Sequence, residues 1–138
     1  MSGFQRFILL ALIVSCIGTG CGSQKEGEPD LLSSFSINRD ESLVVIANRN
    51  EIKDKEEFAR QLVRMCKENS FHSIKFSTDR GYATSLDMRV YLWRDEVEDH
   101  DPVMVVEYKS EEWNPDYDII NHPEEFNLYV DGELIENQ

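Results

Sequence analysis

Apolar residues recur along this chain with two different periods, after an opening run that has none. Phe7 to Ile17 is almost unbroken apolar sequence. From residue 21 to about 34 the chain turns to Gly, Ser, Pro, Lys and Glu, with only Leu31 and Leu32 apolar. Such a stretch buries too little to offset the entropy of ordering, so it predicts a flexible tether. "FSINRDESLVVIANR" then supplies a first strand centred on the apolar run Leu43 to Ala47. A period near 3.6 follows: Phe58, Leu62, Met65, Cys66 and Asn69 recur at three and four, with Ala59 and Val63 widening the stripe. This predicts a helix from Lys55 to about Glu68, one face of which covers a sheet. Asp54 stands at the N-cap position, and Glu57 three residues later completes a capping-box spacing.

Beyond the helix the period shortens to two. "FHSIKFSTD" (71–79) alternates and predicts a second strand, with His72, Ile74 and Phe76 on one side. Leu86, Met88, Val90 and Leu92 alternate with Asp87, Arg89, Tyr91 and Trp93, the pattern of a half-buried antiparallel strand. Val103 to Lys109 predicts the next, and "FNLYVDGELIE" ends in a hairpin at Asp131-Gly132. The expected fold is α+β: a mixed four- to five-stranded sheet in β-α-β-β-β order, with one helix packed on one face. A right-handed parallel crossover would contain the helix, and the later strands would be antiparallel neighbours. One helix cannot cover such a sheet, so the opposite face is either shielded by the turn-rich stretch 111–125 or open.

The opening run is too short for a mature membrane span, which takes roughly 20 residues, and it is followed by small residues, as in a cleaved signal peptide. "IVSC" ends at Cys16 and "GTGC" at Cys21. Here the chain resembles bacterial lipoproteins, whose signal ends in a short box of small residues before a cysteine that becomes lipidated. Cys16 has the better aliphatic position, in Ile13. Cys21 has the polar segment "GSQKEGEPD" directly behind it and is the preferred site. The resemblance covers only the first 25 residues or so. It implies a signal peptide over 1–20, a lipid-bearing Cys21, a tether over 21–34, and a single domain over 35–138 held outside the cytoplasm. Two or more acyl chains anchor stably, where one binds marginally.

The sequence has 14 Lys and Arg against 27 Asp and Glu, and residues 1–20 contain only Arg6 of these. Phosphate recognition rests largely on basic side chains, so this balance argues against nucleic acid, and equally against adsorption to an anionic bilayer by charge.

Candidate chemistry is sparse. Asp95, Glu98, Asp99 and Asp101 crowd one loop and are weak candidates for a divalent cation or small solute, without the ordered spacing of a calcium loop. Asp116 and Asp118 read as turn residues. His72, His100 and His122 lack zinc spacing. Cys66, late in the helix on its apolar stripe, reads as a buried, inert thiol. Neither a nucleophile elbow nor a cofactor fingerprint is present. The expectation is therefore a non-enzymatic binding or accessory domain without a cofactor, anchored by lipid. It would contact a protein partner in the cell envelope through Arg89, Tyr91, Trp93, Tyr108, Trp113 and Tyr117, because aromatic anchors dominate small interfaces.

Overall fold

The helix, α1, spans Lys55–Glu68, as its apolar stripe and cap predict. The Asp54 side chain accepts from the Glu57 amide at 3.0 Å. Asn69 closes the other end in the left-handed conformation, φ 54°, its amide donating to the Cys66 carbonyl. Phe58, Ala59, Leu62, Val63 and Cys66 are buried along one side.

The computed structural model of the chain describes residues 27–136. They contain α1 and six strands: β1 (Asp30–Ile37), β2 (Asp40–Ile46), β3 (Ser85–Tyr91), β4 (Met104–Ser110), β5 (Phe126–Val130) and β6 (Glu133–Ile135). All six lie in one sheet in the order β1 to β6. β2 and β3 are parallel, joined through α1, and every other neighbouring pair is antiparallel. The α+β class, the single helix and the parallel crossover follow the expectation. The strand count and the order do not.

Two local features of the chain explain the difference. The first expected strand is a hairpin: Asn38 and Arg39 both take positive φ, 50° and 75°, and Ile37 pairs with Asp40. A two-residue turn of this hand normally advertises itself with glycine, and Asn-Arg does not. β1 consequently occupies residues read as tether. Leu31 is 2 % exposed and belongs to the core, so the domain includes residues 30–34. The second is the expected strand at 71–79, which is irregular. Phe71 is buried, and Ile74 and Phe76 pack on the core, but His72 is exposed. Backbone groups of this segment are satisfied by side chains instead: Asn69 Oδ1 accepts from the Phe76 amide at 2.8 Å, and Asp30 Oδ1, at the start of β1, accepts from the Ser73 amide at 3.0 Å. Alternation there reported burial, while the places beside β2 were already taken by β1 and β3.

The core forms between α1 and one sheet face, from Leu43, Val45, Leu86, Met88, Val90, Met104, Val106, Leu128 and Val130. Residues 117–120 add to that same side. Ile119 is buried in this core, its amide bonded to the Ala83 carbonyl at 2.9 Å, and Tyr117 and Ile120 pack against it. At the other end, Lys55 Nζ meets Asp131 Oδ2 at 3.0 Å, tying the start of α1 to the β5–β6 turn. That turn is the predicted Asp131-Gly132 pair, both at positive φ.

Candidate functional site

The sheet face turned away from α1 is open. The pairing register draws one complete row across it: Phe35, Ser42, Asp87, Glu107, Tyr129 and Leu134, one residue from each strand. Phe35 is 64 % exposed and Leu134 55 %, so apolar side chains stand at both ends of the row. The next row runs Ser33, Val44, Arg89 and Val105. Asp87 and Arg89 belong to an interior strand, yet both are exposed, so nothing among the described residues covers the centre of this face.

The middle of the long row is electrostatically loaded. Asp87 and Glu107 are direct neighbours on adjacent antiparallel strands, and like charges in that relation destabilise a sheet. Lys109 answers on the Glu107 side. Its Nζ lies 2.8 Å from Glu107 Oε2 and 5.1 Å from the centroid of the Tyr129 ring. The hydrogen bond to Glu107 raises the Lys109 pKa against the opposing effect of burial, and the charges of Glu107, Tyr129 and Asp87 add to the rise. Asp87 itself accepts no hydrogen bond and joins no ion pair among the described residues.

The six expected contact residues divide. Arg89 is exposed on the open face, and Tyr91, two residues along, is on the same face but only 9 % exposed, paired with Ile46. Trp93 is half-buried where β3 gives way to a short 3-10 turn. Trp113 is 58 % exposed, and its Nε1 donates to Asp40 Oδ1 at 3.2 Å. Tyr108 does not join them. It lies on the α1 side, stacked on Phe126 at 5.1 Å under the Lys67 ammonium, because its alternation partners are Met104 and Val106. Tyr117 is half-buried against the core near His122. Phe35, Ile37, Tyr129 and Leu134 were missed. Phe35 and Ile37 carry a legible signal, since they alternate with Ser34 and Ser36, but with no glycine to mark the turn at Asn38 and Arg39 it runs on into the β2 pattern.

The remaining candidates do not assemble. Among the described residues no three His, Cys, Asp or Glu side chains converge as metal ligands, so Asp95, Glu98, Asp99 and Asp101 stay separate on their exposed loop. Asp118 is occupied in a turn. Its Oδ1 accepts from the amides of Ile120 and Asn121 at 2.9 and 2.7 Å, and its Oδ2 from Asn121 Nδ2 at 3.0 Å. Burial would raise its pKa, but these bonds and His122 outweigh that and lower it, the reverse of a general acid's requirement. Cys66 is 4 % exposed, 3.9 Å from the Met88 sulfur, and burial with the Glu41 charge pushes its thiol far up. A thiol so placed is unreactive.

No helix among the described residues is long and apolar enough to cross a membrane. Cys16 and Cys21 lie outside the described residues. No protein-family model matches the chain, and neither the curated proteins nor the solved structures contain a significant match.

Proposed function

We propose that the chain is a membrane-anchored extracytoplasmic lipoprotein, tethered through Cys21, whose domain docks a protein of the cell envelope on its open sheet face and performs no chemistry itself. The observation that carries the docking is the row from Phe35 to Leu134. Apolar groups flank two adjacent carboxylates, one of which has no partner among the described residues. A partner that presents a basic side chain between apolar ones would neutralise Asp87 and bury Phe35, Tyr129 and Leu134 in one contact. Arg89 then meets a carboxylate at the rim. Binding is favoured over catalysis because, among the described residues, the buried Cys66 thiol is inert, Asp118 is held by the Ile120 and Asn121 amides, and the buried Thr84 and Ser110 hydroxyls donate to Asp40 Oδ1 and the Glu112 carbonyl. The acidic loop 95–101 is not part of this reading, since its side chains do not converge.

The address and the docking are tested in one preparation. Intact mass of the mature protein should show Cys21 as a diacylated first residue, and Cys21→Ser should release the chain from membranes. Radical footprinting should oxidise Phe35, Trp113 and Tyr129 less in native membranes than in the purified chain, with Tyr82 equal in both. Equal oxidation of all four would refute the docking, and membrane retention of Cys21→Ser would refute the anchor.

A further inference from the structure

On the opposite side of the molecule, a cavity of about 440 Å³ opens between the end of α1, the β1–β2 hairpin and residues 75–83. Its floor belongs to the core: Cys66, Leu86 and Ile119 are buried, and Phe76 is half-buried. Its walls carry Arg39, Lys67, Lys75 and Arg80 against only Glu41 and Asp79. The whole chain has 14 basic residues and 27 acidic ones, so the sign of charge is inverted here. None of the four cations forms an ion pair with a carboxylate among the described residues. Lys75 Nζ donates to the Asn69 carbonyl at 3.1 Å, and Lys67 sits over the Tyr108 ring, so the negative end of the α1 dipole accounts for these two. It does not account for Arg39 or Arg80. Arg39 takes φ 75° at the tip of the β1–β2 turn and donates Nη2 to the Pro115 carbonyl at 2.7 Å. This lays its guanidinium along the cavity wall, where a Cβ on Gly81 would come within 3.0 Å of Nη1.

From this juxtaposition we propose that the cavity binds a small organic anion, its apolar body on Leu86, Ile119 and Phe76 and its negative charge among Arg39, Lys67, Lys75 and Arg80. Volumes of this order accommodate small ligands, and a few polar groups at the rim of an apolar pocket fix their orientation. Glu41 and Asp79 offset part of this charge, and the wall stays net positive. The site is independent of the open sheet face, which lies across the sheet from it.

Amide chemical-shift mapping of the full chain, titrated with hexanoate and separately with hexylammonium, tests this. Hexanoate should give saturable shifts centred on residues 75–83, Cys66 and Ile119, and hexylammonium none at the same concentration. Arg80→Gln and Lys75→Gln replace exposed side chains, so both variants should fold, and together they should weaken hexanoate binding by about tenfold. Absence of saturable shifts, equal response to the two probes, shifts centred on the sheet face, or unchanged affinity in the double variant would each overturn the proposal.

Discussion

Trp113 Nε1 donates to Asp40 Oδ1 at 3.2 Å while more than half of the indole remains exposed. Asp40 opens β2, and the same oxygen accepts from Thr84 Oγ1 at 2.7 Å and Ser85 Oγ at 2.8 Å. A large aromatic ring is thus held in place without being buried. Fixing an anchor before association removes part of the entropy cost of binding.

The two residues of this bond should respond differently to truncation. Asp40→Ala leaves the Thr84 hydroxyl, 1 % exposed, without its acceptor, and should cost about 1 to 3 kcal/mol in urea denaturation. Trp113→Ala should change stability by no more than about 0.5 kcal/mol, because an exposed ring gives up little on folding. A large loss of stability in Trp113→Ala would mean that the ring serves the fold rather than a partner.

The position of Leu31 predicts where the domain begins. Leu31→Ala should lower the unfolding free energy by about 2 to 5 kcal/mol, as expected for a leucine 2 % exposed in the core. Leu32→Ala, on a half-buried neighbour at the β1 irregularity, should cost less. Equal and negligible effects would return residues 30–34 to the tether.

Much of this fold was written in local patterns, and the rest depended on competition between segments. The helix stripe from Phe58 to Cys66, the Asp54 cap, the alternation from Leu86 to Leu92 and the Asp131-Gly132 turn each act within a few residues, so each is legible by itself. The β1–β2 turn was hidden because Asn38 and Arg39 adopt a conformation that glycine usually marks. Ile74 and Phe76 alternate like a strand because they face the core, yet both edges of β2 are occupied, by β1 and β3. The candidate site was half legible for the same reason. Arg89 and Trp113 are where the alternation and the turn chemistry place them. The row that joins Phe35 to Leu134 exists only once six strands are in register.

Three carboxyls make stability depend on acid. Burial pushes Asp30, Asp118 and Asp131 up, but hydrogen bonds outweigh it and hold all three below the ordinary value of 3.8. The donors are Ser73 and Leu31 for Asp30, Asn121 and Ile120 for Asp118, and the Val105 amide and Lys55 for Asp131. A depressed folded-state pKa adds stability that is fully present above the unfolded value and is lost as pH falls through the folded one. The urea midpoint should therefore hold steady down to about pH 4.5 and decline below about pH 4. Asp118→Asn should be less stable at neutral pH by about 1 kcal/mol, with a shallower decline. A variant that declines as steeply as the parent would remove Asp118 from this account.

The docking face is tested most directly by photo-crosslinking from single positions of the full chain in its native membrane. A benzophenone side chain at Phe35, Arg89 or Leu134 should yield one common adduct, which disappears when Asp87→Lys is introduced in the same chain. The same group at Arg64 or Glu68, on the exposed side of α1, should yield none. Adducts from the α1 positions with none from the sheet face, or an adduct indifferent to the Asp87 charge, would contradict the account.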